Sequence, residues 1–315
     1  MELLKLKPAF KDYLWGGEKL KTLYNKDTDT TPLAESWELS THKDGPSVVV
    51  NGEFKGLTLT EVLEKLPQDC LGKNAAKFPY FPILTKLIDA KQCLSIQVHP
   101  DDEYGLRVEK EFGKTEVWYV LDCEENSFLY FGVNKDITKE EFRQRINDNT
   151  ILDVLKKEPV KKGDVAFIKA GTIHAITDGM TILEIQQNSN TTYRVYDFNR
   201  VGKDGKLRDL HIDKAIDVSN LNEMTNAITQ VQYEDNNGYK VGKIAQCEYF
   251  NVDSYVVSSD VCINVNEDSF VAFTFVSGNG KINDLEFGTG DTFFAPSNFG
   301  DVKIVGTCQF VTAKV

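Results

Sequence analysis

Basic residues are scarce in this chain: 36 Lys and Arg stand against 48 Asp and Glu, a formal net charge of −12 and a pI of about 4.9. A chain with that balance lacks the basic face that displaces counterions from nucleic acid. Any phosphorylated ligand must therefore be met by a local cluster of Lys and Arg set against the field of the whole molecule. Long apolar runs are missing too, since no stretch approaches the ~18 consecutive apolar residues of a membrane span. The opening MELLKLKPAFKDYLWGG has neither an apolar h-region nor a small-residue cleavage site, so it does not read as a signal peptide. The six cysteines (Cys70, Cys93, Cys123, Cys247, Cys262 and Cys308) include no CxxC pair. Disulfide frameworks belong to short secreted chains, which points to free thiols and a cytoplasmic location. What is plentiful is apolar and aromatic content, 41% and 11% of 315 residues, enough for one large globular domain or two ordinary ones.

Residues 58–66 carry apolar side chains at helical spacing behind threonines that offer N-caps. Residues 138–155 open with a capping-box pattern and continue at helical spacing, and 210–218 read as a further helix. The apolar runs 117–121 and 127–131 flank an acidic turn and predict a hairpin. Residues 220–226 read as a linker. After about residue 230 strand signals take over almost throughout, as in 250–257, 270–276, 292–295 and 309–313. Many short strands between Gly, Asp and Asn turns argue for a sandwich or barrel rather than a doubly wound sheet, which would need regularly alternating helices.

One internal echo is present. KGDVAFIKAGTIH (162–174) and TGDTFFAPSNFGD (289–301) share a Gly-Asp turn, a short apolar strand and a second turn, and the alignment sets His174 against Asp301. The pattern resembles the second motif of the cupin jelly roll. The expected fold is mainly β: two cupin-like jelly-roll domains, the first spanning residues 1–230 with helical insertions, the second, smaller and without a metal site, spanning 231–315.

Only four histidines exist. Gln97 and His99 stand at i and i+2, so on one strand they point to the same face. Glu116 follows the turn 112–115 at the head of an apolar strand, and His174 lies just past the Gly171 turn. One amide oxygen, two imidazole nitrogens and one carboxylate oxygen suit a divalent metal such as Zn²⁺, with Mn²⁺, Fe²⁺ or Co²⁺ also suited. His42 reads as structural and His211, on a predicted helix, as surface.

The ordered series Trp15-Gly16-Gly17, Ala34-Glu35-Ser36-Trp37-Glu38, Ser40-Thr41-His42, Gly45-Pro46-Ser47, Leu94-Ser95-Ile96-Gln97-Val98-His99-Pro100, Gly113-Lys114-Thr115-Glu116, Ala170-Gly171-Thr172-Ile173-His174-Ala175 and Tyr193-Arg194 resembles the type I phosphomannose isomerases, in their short bacterial form, over most of the first 215 residues. The resemblance implies a zinc-dependent aldose–ketose isomerase that interconverts mannose 6-phosphate and fructose 6-phosphate through a cis-enediol. It implies Gln97, His99, Glu116 and His174 as the metal ligands, Arg194 and Lys114 as catalytic groups, and Ser95, Arg200 and Lys86 as contacts to the sugar phosphate. Lys114, Glu38 and a water on the metal are the candidates for the base. Trp15 and Trp37 are candidates to line the sugar pocket, and Trp118 reads as core. Asn190 stands where the family pattern has Asp, and Lys169 where cupins have Pro.

Two other readings share these residues: another cupin metalloenzyme (a different sugar-phosphate isomerase or an iron dioxygenase), and a non-catalytic sugar-phosphate-binding cupin. A dioxygenase would leave Arg194 and Arg200 without a role, and a degraded site rarely keeps a full ligand set. The expected partner is a small-molecule sugar phosphate, with no nucleic acid and no membrane; the oligomeric state is not legible.

Overall fold

Strands dominate because short β-branched and aromatic runs recur between Gly, Asn and Asp turns, and they assemble into three antiparallel sheets. The structure, a computed structural model, describes residues 2–202, 205–225 and 228–315. The seven-stranded sheet contains Glu116–Asp122, Met180–Gln187, Ile83–Ala90 and Glu35–Leu39 at its centre. The five-stranded sheet runs Tyr193–Tyr196, Ile96–Val98, His174–Ile176, Phe128–Val133 and Leu155–Pro159. Ile88, Trp118, Val120 and Ile182 of the first sheet pack against Leu129, Phe131 and Ile176 of the second, closing a barrel-like core between them.

Alternation decides what each strand gives to that interior. In Ile96–Val98 the flanking Ile96 and Val98 turn outward to an apolar layer that includes Phe142, Ile146, Ala215 and Ile216 of the helices Lys139–Asn147 and Ile212–Val218. Ser95 and Gln97 are left to face inward. The seven-stranded sheet is buried on both sides: Leu87, Val117, Leu183 and Ile185 pack outward on Phe250, Phe270, Phe294 and Val311. Those belong to a ten-stranded sheet made mostly of the last 85 or so residues, which encloses its own aromatic core of Phe273, Phe275, Phe293 and Phe310.

The mainly β, two-barrel expectation holds, and the echo is real at the level of backbone. In both turns the amide three residues before the aspartate donates to its Oδ2 (Lys161 to Asp164, Gly288 to Asp291, each 2.9 Å), and Gly163 and Gly290 share φ near +90°. Gly171 and Asn298, aligned by the same offset, are both left-handed. Asp301 is exposed and accepts from Asn264 at 2.7 Å, so the second barrel's counterpart of His174 is a surface residue.

Two expectations are corrected. The 117–121 and 127–131 runs form no hairpin: the segment between them crosses from one sheet to the other, and their partners come from elsewhere in the chain. The helix expected over 138–155 ends at Asn147, followed by left-handed Asn149, a 3₁₀ turn Ile151–Val154 and the strand Leu155–Pro159. Phe142, Ile146, Ile151 and Val154 all reach the same apolar layer, so the burial spacing imitates one helix. Strands Leu4–Lys7 and Val48–Val49, from early in the chain, join the ten-stranded sheet, Leu4–Lys7 pairing with Thr292–Ala295. The linker expected over 220–226 extends to a residue outside those described, and 221–225 include Met224, whose amide donates to Val133.

Candidate metal centre

Two cross-strand rows build the site. In the five-stranded sheet Arg194, Gln97, His174 and Phe131 stand directly opposite one another on consecutive strands. In the seven-stranded sheet the row is Trp37, Lys86, Glu184 and Trp118. Glu116 opens its strand one step from the second row, opposite Gln186 and Ile168. His99 follows Gln97 at i+2, so the interior receives both.

His99, Glu116 and His174 are fully buried, and one ligand atom from each lies within 4.8 Å of the others. Both imidazoles place Nδ1 2.8 Å from a backbone carbonyl, His99 on Thr191 and His174 on Thr172. A carbonyl only accepts, so each Nδ1 carries a proton, and in the neutral ring each Nε2 turns a lone pair inward. His174 Nε2 then lies 3.1 Å from Glu116 Oε1, and both atoms are buried with no hydrogen-bond partner. Two acceptors facing each other in a dry interior call for a cation between them. Lys114 meets only part of that demand, with Nζ on Glu116 Oε2 and 3.1 Å from His99 Nε2.

The protonation states agree with that demand. Burial and the Lys114 charge push His99 well below the usual imidazole range, keeping it neutral. Burial opposes the charge on Glu116, but Lys114 and the neighbouring imidazoles outweigh it and hold the carboxyl well below the usual range. Neutral imidazoles and an ionised carboxylate are what a divalent ion binds. The residues present therefore fit a zinc-type site, with Gln97 on the same face. Among the described residues no second cluster of this kind occurs, the C-terminal barrel included.

A cavity of ≈ 270 Å³ opens beside this centre, lined among others by Gln97, Lys114, Ser95, Arg194 and Arg208. Lys86 also lines it, buried, with Nζ 2.9 Å from Glu184 Oε1 and 5.2 Å above the Trp37 ring. Burial works against its charge, yet Glu184 and Glu35 more than compensate and raise its pKa. Glu184 Oε2 accepts from the Trp118 indole at 2.8 Å, while its Oε1 stands 3.9 Å from Lys114. One carboxylate thus lies between the two lysines of the cavity. Arg194 is steadied through Nη1 on the Asp209 carbonyl, 2.8 Å. Burial, then the charge of Arg208, lowers its pKa.

Other candidates fall elsewhere. Trp15 lines the cavity with Tyr13 stacked on it, whereas Trp37 and Trp118 are core. Glu38 points away from the cavity: it pairs with Lys26 at 2.6 Å and accepts from Thr292 of the C-terminal sheet, so it is no base. Arg200 is absent from the cavity lining, its two terminal nitrogens bound to the Cys93 carbonyl and Asp197. His211 is not a free surface residue, since its Nδ1 accepts from the Arg194 amide at 3.0 Å. His42 is buried against the edge of Trp37, and Asn190 reaches Asp44. Lys169 is exposed. Sequence reasoning gave no role to Glu35, though it stands in the 34–38 motif, and missed Glu184 and Arg208, which carry no local motif and enter the cavity by tertiary placement alone.

A jelly-roll barrel that gathers two histidines and a glutamate beside a cationic cavity defines the cupin metalloenzymes. Residues 3–128 match the family model described as phosphomannose isomerase type I, catalytic domain. The chain is 37% identical over 98% of its length, and 98% of the relative's, to the probable mannose-6-phosphate isomerase GmuF of Bacillus subtilis (strain 168). It superposes on the crystal structure of the mannose 6-phosphate isomerase from Bacillus subtilis with a TM-score of 0.93, 33% identity and full coverage of both chains. A zinc-bound holo mannose 6-phosphate isomerase shares the fold at a TM-score of 0.79, 17% identity and 99% coverage of each chain. The chain belongs to the type I phosphomannose isomerase family.

Proposed function

We propose that this chain is a zinc-dependent mannose-6-phosphate isomerase, interconverting mannose 6-phosphate and fructose 6-phosphate. The observation that carries this reading is the pair of unpartnered, mutually facing acceptors, Glu116 Oε1 and His174 Nε2, beside a cavity whose charged lining is Lys86, Lys114, Arg194 and Arg208 balanced by Glu35 and Glu184. Gln97, His99, Glu116 and His174 would hold the ion. A bound divalent cation supplies Lewis-acid polarisation of the sugar's carbonyl and hydroxyl oxygens.

The chain's own residues do the rest. Moving a proton between C1 and C2 through a cis-enediol builds negative charge on oxygen, which the ammonium of Lys114 and the guanidinium of Arg194 meet with fixed positive charge. With Glu38 turned away, Glu184 is the group placed to hold the migrating proton: its Oε1 lies between the two lysines of the cavity, 2.9 Å from Lys86 and 3.9 Å from Lys114. Ser95 and the arginines receive the phosphate, for which charge-assisted bonds are the strong kind. The iron dioxygenase reading gains no support from this cavity, because it would leave the arginines without a task. Residues 1–230 form the catalytic unit and 231–315 the supporting one, and the free cysteines fit a cytoplasmic setting. No described helix is long and apolar enough to cross a membrane.

The test pairs elemental analysis with turnover of mannose 6-phosphate before and after chelation. The expected result is about one zinc per chain, with activity lost on chelation and restored by zinc. Bound metal with no turnover would overturn the reading.

A further inference from the structure

We propose that Arg208, aimed by Asp197, is the phosphate-gripping residue of this chain together with Arg194, and that Arg200 is a brace behind them. The inference rests on the isomerase reading above and departs from the family expectation, which places the phosphate contact on Arg200.

Two arginines, Arg200 and Arg208, converge on one carboxylate, with Arg194 close enough to feel their charge. Asp197 is 5% exposed; its Oδ1 accepts from Arg200 Nη2 at 2.6 Å and from Arg208 Nη2, and its Oδ2 accepts from Arg208 Nε at 2.6 Å. The backbone is shaped to make this happen. His211 donates to the Arg194 carbonyl, 2.8 Å, and Val201 bridges Leu207 antiparallel, so the chain doubles back and returns Arg208 to Asp197. Between Asp197 and Arg200 the chain turns through Phe198 and Asn199, both left-handed at φ 55° and 53°, and the Arg200 amide closes the turn on the Asp197 carbonyl at 3.0 Å. A bulky aromatic rarely adopts that conformation, and such strain persists where the surroundings impose it.

The result divides the arginines by task. Arg200 has both terminal nitrogens bound to protein. Arg208 is gripped through Nε and Nη2, which fixes the guanidinium plane, and it lines the cavity beside Arg194 and Ser95. Three guanidinium groups against one aspartate leave a local charge of about +2 inside a chain of net charge −12, matched to a phosphate monoester of about −2 at neutral pH. Crowded like charges are held together only where an anion or a shared counter-charge offsets them, and Asp197 supplies one of the three compensating charges in advance, leaving about two to the phosphate.

The test compares Arg208→Ala, Arg208→Lys, Asp197→Asn and Arg200→Ala in the zinc-loaded enzyme, with zinc content and thermal midpoint as fold controls. Arg208→Ala is expected to raise KM for mannose 6-phosphate about 10- to 100-fold, the loss of one or two charge-assisted bonds. It should weaken competitive inhibition by inorganic phosphate in parallel, with kcat within about threefold. Arg208→Lys recovers part of the affinity. Asp197→Asn raises KM with zinc content unchanged, and Arg200→Ala raises it less than Arg208→Ala does. Unchanged KM and phosphate inhibition in Arg208→Ala, or a larger effect from Arg200→Ala, would overturn the proposal. Absence of turnover in the unmodified enzyme would instead overturn the isomerase reading on which it rests.

Discussion

At the scale of single residues, the metal centre is an arrangement of acceptors with too few donors. Lys114 is the one cation in contact with Glu116 among the described residues, and Glu184 Oε1, its other carboxylate neighbour, is 3.9 Å away. Glu116→Gln removes the partner charge and leaves the ammonium of Lys114 buried beside a neutral imidazole. Breaking a buried pair in this way costs about 3–5 kcal/mol. Urea unfolding of the metal-free protein should therefore show a loss of that order, together with loss of zinc binding; an unchanged midpoint would show that the pair contributes nothing to stability. The same scale explains what was legible. Gln97, His99, Glu116 and His174 can be read from spacing because a strand's period of two and a glycine turn carry local information about direction. Glu184 and Arg208 cannot, because one is selected by cross-strand register with Lys86 and the other by a return of the chain to Asp197.

At the scale of elements, the turn before His174 carries more than its share of the site. Gly171 sits at φ 85°, its amide donates to the His99 carbonyl at 2.8 Å, and its own carbonyl accepts from Asn220 at 2.7 Å. A Cβ there would lie 2.8 Å from the Val218 carbonyl oxygen. Gly171→Ala thus meets both an unfavourable φ, about 1–2 kcal/mol, and a backbone clash, and the displacement falls on the segments that carry both histidines of the candidate site. The expected outcome is a lower thermal midpoint and a zinc affinity reduced about 10-fold or more, as for loss of groups that orient a ligand; competition with a chelator measures the latter. Retained affinity would mean that the two strands position the histidines without the turn. Elements were legible where local chemistry decides them, as at Thr58, whose capping box with Glu61 starts the helix Leu59–Lys65 as expected. They were misread where two geometries share one burial pattern. Strand Glu116–Asp122 has apolar neighbours on both faces, so nothing in its run of residues tells a hairpin partner from a distant one.

At the scale of the whole molecule, the barrel that holds the candidate site and the C-terminal sheet are packed too extensively to be independent folding units. Leu87, Val117, Leu183 and Ile185 are fully buried beneath Phe250, Phe270 and Phe294, and at about 1.5–3 kcal/mol for each side chain this contact alone is worth roughly 6–12 kcal/mol. That is as large as the net stability of an ordinary domain, about 5–15 kcal/mol. Polar links add to it: Lys26 is buried between Glu38 and the Gly290 carbonyl, Thr292 donates to Glu38, and strand Leu4–Lys7 has its partners in both Val48–Val49 and Thr292–Ala295. A chain ending at residue 230 would expose that apolar face, leave Glu38 without Thr292 and strip the first strand of one of its two neighbours. Such a fragment is expected to collect in inclusion bodies or, once solubilised, to lack near-ultraviolet circular dichroism and zinc binding, even though it carries every residue assigned to the metal centre. A soluble fragment that binds zinc would show instead that the barrel around His99, Glu116 and His174 closes on its own core, and that the second barrel, whose counterpart of His174 is the exposed Asp301, contributes nothing the first requires.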